Sequence, residues 1–385
     1  MKTTSSIGLK TKPCNFMLFA GMMTSLALSS GSAEEKTVKV FILAGQSNME
    51  GKGLPTHLDT YKDDPRIKPW YGIIKKGDGW AVRDDVFITY PTKSGGAKHG
   101  PLTVDYGTKG ENSIGPEFGF GHAVGEAFDE PVLIIKTAWG GKSVYQPFRP
   151  PSALPGDDEI RKSIAEMKNK HDATIDENRK KKADGKKARK SKPVPTFEEL
   201  KKSYGEYYHL MVKHVREELA DYENKLPELK GTKPELAGFV WHQGFNDRVA
   251  AYYKDSGSGY ADYTKWMGVL IKDLRKDLEA PDMPVVIGEL GTGGVEGRGD
   301  FQVAQANIAK LPEFQGTVVF VPTAEYQDKV ALKYFKEELW KKGPEGMAKW
   351  RTVGNDRPYH YLGSGKTYFL KGVAFGEAAV KLNRK

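Results

Sequence analysis

The chain has 385 residues, room for one large core or two small domains. Its formal charge of +9 comes from an N-terminal stretch and from residues 161–192, where 13 Lys/Arg face five Asp/Glu. The rest is close to neutral, so the basic balance describes one segment and not a whole nucleic-acid-binding surface.

Lys2, Lys10 and Lys12 flank and precede an apolar run, residues 16–28, which Gly31-Ser32-Ala33 follows. This pattern predicts a signal peptide over 1–33, cleaved after Ala33, and a single secreted or periplasmic domain over 34–385. The run is too short to span a bilayer comfortably, and no later segment is long and apolar enough, so no membrane partner is expected after its removal. The one cysteine, Cys14, lies in this leader. The mature chain is therefore expected to have no disulfide and no thiolate chemistry.

Residues 38–44 are apolar on both faces, as in a buried parallel strand, and stop at Gly45. Gln46-Ser47-Asn48 then stand at the C-terminal end of that strand, where open α/β sheets bind ligands. Ser47 is placed there either as a nucleophile or as a helix cap. Residues 51–131 are rich in Gly and Pro, with weak periodicity, and read as long loops over a substrate site. Trp70, Tyr71, Trp80 and Tyr90 in this region are candidates for stacking on sugar rings or, alternatively, for core or lid packing.

A second strand, 132–136, runs into Thr137-Ala138-Trp139-Gly140-Gly141-Lys142-Ser143, whose glycines let backbone N–H groups approach a ligand. Residues 157–196 are highly charged with few large apolar side chains, and form an exposed helix or an excursion. The steps of three and four from Leu200 to Tyr222 predict one continuous helix over 197–223. A third strand, 236–241, leads into His242-Gln243-Gly244-Phe245-Asn246-Asp247. This stretch offers amide donors at Gln243 and Asn246 and a histidine that is either a base or a packed neighbour.

An amphipathic helix carrying Tyr263 to Leu278, strands at 284–289 and 317–321, and a last helix from about Gly363 complete an α/β fold around a parallel, five-stranded sheet. Before that last helix comes Asn355-Asp356-Arg357-Pro358-Tyr359-His360. His360 is the better candidate for a base, with Asp356 near enough to orient it; its alternative role is to cap the last helix. His209 and His214 are five apart and share no helical face, and no cluster has metal-ligand spacing. No cofactor or metal is implied.

Gly45-Gln46-Ser47-Asn48-Met49, Gly140-Gly141-Lys142-Ser143, His242-Gln243-Gly244-Phe245-Asn246-Asp247 and His360 occur in an order that resembles the SGNH hydrolase superfamily, in its sialate O-acetylesterase-like (SASA-domain) branch of carbohydrate esterases. The resemblance runs from Val38 to the last helix and omits the charged excursion. It implies a three-layer α/β/α sandwich of the SGNH-hydrolase, flavodoxin-like type and metal-independent hydrolysis. It matches Ser47 to the nucleophile, His360 to the general base, and the N–H groups of Ser47 and Gly141 to oxyanion donors. Gly115, in Ser113-Ile114-Gly115-Pro116-Glu117, rivals Gly141, and Gln243 and Asn246 rival one another as the side-chain donor.

Two departures stand out. Phe245 replaces the branch's usual Glu, and the position three before His360 is Arg357, with Asp356 one residue further away. The expected function is removal of O-acetyl groups from a sugar or polysaccharide by a Ser-His(-Asp) mechanism. The alternative is a catalytically impaired glycan-binding protein on the same fold. The basic excursion is a candidate site for an anionic polysaccharide. Nucleic acid is not expected, since the excursion lacks interleaved aromatics.

Overall fold

The computed structural model describes residues 36–91, 96–255, 257–291 and 299–384. The expected leader, 1–33, lies outside the described residues. Seven strands form one sheet: β1 (Thr37–Gly45), β2 (Val86–Pro91), β3 (Ala97–Pro101), β4 (Val132–Ala138), β5 (Lys233–His242), β6 (Val285–Gly288) and β7 (Val318–Val321). Their order is β3-β2-β4-β1-β5-β6-β7, parallel throughout except for the antiparallel β2–β3 pair.

The five expected strands all form, but the sheet has seven, not five. The two additions come from the region read as loops. β3 is Ala-Lys-His-Gly-Pro, a polar edge strand whose sequence carries little β signal and which exists by pairing with β2. Among the five, the spatial order is second, first, third, fourth, fifth. The winding reverses beside β1, and that reversal is the switch point at which such sheets bind ligands.

The helices used below are α1 (Ser47–Glu50), α2 (Pro116–Gly125), α3 (Asp157–Ala183), α4 (Phe197–Ser203), α5 (Glu206–Lys225), α6 (Ala261–Asp277) and α7 (Gly365–Asn383). Alternation along β1 sorts the core into two layers. Val38, Val40 and Ile42 pack with Met211 and Val215 of α5 and with Met267 and Leu270 of α6. Phe41 and Leu43 pack with Phe120 and Val124 of α2 and with Phe375 and Ala379 of α7. Period-two side chains buried on both faces require a helical layer on each side, which gives an α/β/α sandwich. Each of these large β1 side chains contributes about 1.5–3 kcal/mol by burial.

The expected helix over 197–223 is two helices, α4 and α5, broken at Gly205. Gly205 has φ +73°, a left-handed conformation that ends one helix and lets the next begin. The charged excursion is the exposed helix α3, anchored at its root by Ile160 against Leu200 and Tyr204. No helix of the described residues is long and apolar enough to cross a membrane.

Candidate active site

The register of the central strands brings three motifs to one edge. Gly45 pairs with Ala138 of β4 on one side and with His242 of β5 on the other. Ser47, Gly140-Gly141 and Gln243-Asn246 therefore leave the sheet at the same level. Only glycine fits at position 45: its φ is +154°, and a Cβ there would sit 2.3 Å from the His242 carbonyl oxygen.

Ser47 opens α1 and is half-buried. The Nε2 atom of His360 is 3.0 Å from Ser47 Oγ, and its Nδ1 atom is 2.6 Å from Asp356 Oδ2. Asp356 thus meets the ring although it stands four residues before it. Arg357, at the position where the acid was sought, lies with its guanidinium over Trp340 and Trp350, 4.7 and 5.9 Å from the ring centroids. Burial alone would raise the Asp356 carboxyl. Its bonds to His360 and the Arg357 N–H, with Lys109 nearby, outweigh that and hold it below the usual carboxylate range. His360 does not cap α7; Ser364 does, accepting from the Thr367 N–H.

The loop carrying His360 is fixed from several directions. Asn355 Nδ2 donates to the carbonyls of Lys52 and Lys109, and the Tyr368 hydroxyl donates to the His360 carbonyl. His360, Tyr361 and Leu362 all have φ between 53° and 60°. Three consecutive left-handed side-chain residues persist only where surrounding contacts over-determine them. His242, weighed as a base, is fully buried; it contacts the Tyr361 hydroxyl through Nε2 at 3.0 Å. Burial and the nearby Lys371 keep its ring well below the ordinary value. It packs beneath the His360 loop.

On the other side of Ser47, the Gly141 backbone turns with φ +75° into open space, and its N–H bonds to no other described residue. The rival Gly115 is committed, donating its N–H to Glu117 Oε1 at 2.7 Å. Gln243 is fully buried, and its amide nitrogen lies 2.9 Å from the Lys142 carbonyl and 2.5 Å from Asp247 Oδ2. Asp247 in turn accepts from the N–H groups of Val144 and Tyr145. These two residues hold the loop after Gly141 in place. Asn246 is half-buried, and its side chain has no hydrogen bond among the described residues.

Sequence reasoning missed three supports. Glu50, one turn after Ser47, accepts the Gly140 N–H at 2.6 Å and binds Lys52 at 2.9 Å. Lys136 and Glu117 form an ion pair at 2.8 Å with no exposure of either side chain. Lys136 also donates to the Glu50 and Tyr106 carbonyls. Burial drives the Glu117 carboxyl up and the Lys136 ammonium down, and their attraction opposes both shifts. A lysine within a strand and a glutamate after proline give no sign of this pairing in sequence.

Of the two roles weighed for the aromatics of residues 61–90, packing describes their placement. Trp70, Tyr71 and Trp80 pack against a core cluster around Phe118 and Phe369, and Tyr90 bonds to the Ala138 carbonyl. The exposed aromatic at the site is Tyr359, 52% accessible. Its ring meets Phe245 edge-on at 5.6 Å and lies 6.2 Å from His360.

A family model described as "carbohydrate esterase, sialic acid-specific acetylesterase" (SASA) matches residues 37–177 and 195–335. Asp356 and His360 fall beyond the matched residues. No curated protein matches the chain in sequence. Several solved structures resemble it. A protein from Arabidopsis thaliana has 16% identity and a TM-score of 0.45, over 90% of this chain and 98% of that one. A carbohydrate acetylesterase from Xanthomonas citri has 12% identity and a TM-score of 0.37, over 75% of this chain and 51% of that one. The protein NanS has 14% identity and a TM-score of 0.38, over 77% of this chain and 79% of that one. The family match spans well over half the residues: this chain belongs to the SASA family and is a carbohydrate O-acetylesterase.

Proposed function

We propose that the protein is an exported serine esterase that removes O-acetyl groups from a sugar or polysaccharide through an acyl-enzyme on Ser47. The observation that carries this reading is the unbroken line Ser47 Oγ, His360 Nε2, His360 Nδ1, Asp356 Oδ2, at 3.0 and 2.6 Å. A serine hydroxyl is protonated at neutral pH and attacks only when a base within hydrogen-bond reach removes its proton. Export rests on the basic and apolar pattern of residues 1–33, with residues 34–385 as one domain and the basic excursion as an insertion in it.

In this mechanism Ser47 Oγ bonds to the acetyl carbonyl carbon while His360 Nε2 takes the hydroxyl proton. Asp356 holds the ring's other N–H and stabilises the imidazolium. The N–H groups of Ser47 and Gly141 donate to the oxyanion. A side-chain amide completes the hole, and Asn246 is the better assigned of the two because Gln243 is already bonded on both sides. When the tetrahedral intermediate collapses, the bond to the sugar oxygen breaks and His360 returns the proton to that oxygen. Water, deprotonated by His360, then attacks the acyl carbon; the bond to Ser47 Oγ breaks, His360 returns the proton to that oxygen, and acetate leaves.

Tyr359, with Phe245 behind it, offers the sugar ring a flat apolar face beside His360. The 2.6 Å contact between Asp356 and His360 weighs against the non-catalytic alternative, which rests on a displaced acid and on Phe245. The test is acetate release by the full chain from a panel of acetylated sugars, beside Ser47→Ala. Release that vanishes in a folded Ser47→Ala protein is the expected result; full activity in that variant would overturn the mechanism.

A further inference from the structure

The family match stops at residue 177 and resumes at 195. The 17 residues between carry nine Lys/Arg and a single acidic residue, Asp184, and no large apolar side chain except Val194. They form the tip of a folded hairpin. α3, 27 residues and so about 40 Å long, ends at a turn through Gly185, and the chain returns along it.

The return is pinned at two places. Asn178 bonds with its side chain to both the N–H and the carbonyl of Arg189, each at 2.7 Å. His171 Nδ1 meets Ser191 Oγ at 2.8 Å and the Lys192 carbonyl at 2.9 Å. The cations therefore sit on a defined ridge.

Ordinary helix physics accounts for part of this charge. Lys180, Lys181 and Lys182 occupy the last turn of α3, where cations complement the helix dipole, and Lys181 pairs with Glu177. It does not account for Lys186, Lys187, Arg189, Lys190 and Lys192 on the returning segment. Arg189 and Lys186 meet Glu177 and Asp184 at 3.6 and 3.4 Å. Among the described residues no carboxylate pairs with Lys180, Lys182, Lys187, Lys190 or Lys192, and all five are exposed. Like charges held this close raise the energy of the free protein, and a polyanion laid along the ridge relieves it.

We propose that residues 178–194 are a docking ridge for a carboxylated polysaccharide, which the hairpin holds near the esterase domain. The ridge has no aromatic side chain to stack on nucleobases, which disfavours a single-stranded nucleic acid. It has no apolar face to enter a bilayer interface. The choice of a carbohydrate polymer rests on the esterase reading; the binding of a polyanion does not.

The test is binding of the full chain to sodium polygalacturonate, at low and at physiological salt. It is run beside a variant carrying Lys180→Gln, Lys182→Gln, Lys187→Gln and Lys190→Gln. Wild type is expected to bind, to weaken as salt rises, and to leave neutral dextran unbound. The variant is expected to bind about tenfold more weakly at low salt. Charge reversal to Glu at the same four positions should abolish binding. Equal binding by the variant, indifference to salt, or equal retention of dextran would overturn the proposal. So would tighter binding to polyuridylate or to phosphatidylglycerol vesicles. Because the readout is polymer binding and not acetate release, a failed esterase mechanism and a failed ridge give separate results.

Discussion

The Glu50 carboxylate and the Gly140 backbone N–H are joined at 2.6 Å, so the turn that begins with Ser47 also carries the glycine loop across from it. A shift of Ser47 relative to Gly141 is thereby resisted by a charged hydrogen bond, and Lys136 donates to the Glu50 carbonyl. Glu50→Ala should lower kcat about 10- to 100-fold while KM changes little. Glu50→Gln keeps an acceptor for Gly140 and should be milder. Steady-state kinetics on one acetylated sugar decide this, and an unchanged kcat in Glu50→Ala would remove Glu50 from the positioning of the site.

Asp356 Oδ2 meets His360 Nδ1 at 2.6 Å from four residues away, the placement of the proposed orienting acid, whereas Arg357 lies over two tryptophans. Asp356→Asn should therefore lower kcat by about 10²–10⁴, less than Ser47→Ala does. Arg357→Gln should leave kcat within a few-fold of wild type. If the two substitutions cost the same, the assignment of the acid is wrong.

Gln243 and Asn246 can be separated by what else each one holds. Gln243 lies between Lys142 and Asp247 in a fully buried setting, so Gln243→Leu strands buried polar groups and should lower Tm as well as kcat. Asn246→Ala disturbs no described hydrogen bond and should lower kcat about 10²–10³ with Tm unchanged. A kcat equal to wild type in Asn246→Ala would hand the third donor back to Gln243.

Tyr359 exposes half its surface beside His360, and Phe245 meets its ring edge-on. Tyr359→Ala is expected to raise KM for an acetylated oligosaccharide about five- to tenfold, the loss of one aromatic contact. Tyr359→Trp should restore KM, because a larger flat ring serves the same stacking. A KM that does not respond to either change would rule out stacking at this position.

Buried histidines give the fold an acid limit. Burial lowers His57 from 6.5 to about 4 and His122 to about 3. The Gly365 N–H donates to His57 Nδ1, a bond that requires that nitrogen to stay unprotonated. Between pH 6.5 and about 4 the unfolded chain binds more protons at these rings than the folded one does. Stability should therefore fall as pH falls through that window, by about 1.4 kcal/mol per pH unit for each ring. Neither His122 nitrogen has a partner among the described residues, and its ring meets Phe118 edge-on. His122→Phe should flatten the pH dependence of urea unfolding by that amount; a slope identical to wild type would contradict the account.

What the sequence made legible was whatever signals itself locally. β1, β4, β5, β6 and β7 are runs apolar on both faces, and their order in the chain led directly to Ser47, Gly141 and Gln243 at one edge. β3 was not legible because a polar edge strand is defined by its partner, and β2 was lost among the glycines and prolines around it. The split between Gly141 and Gly115 turned on which N–H is already bonded, which only the Glu117 contact reveals. The pairing of Lys136 with Glu117 was not legible, since nothing in a linear chain announces an ion pair with both members buried. The acid was doubted on spacing alone, and the loop brought it to His360 regardless.

Ser47 and His360 are 313 residues apart, and the loop bearing His360 is tied to α7 by Tyr368 and to the Ser47 side by Asn355. The proposed nucleophile thus stands just after the first strand, and the proposed base just before the last helix. A partly folded or clipped polypeptide, however native its sheet, holds a serine with nothing to activate it. Turnover of a single ester therefore reports that both ends of the domain have met, and it makes the enzyme its own assay for complete folding.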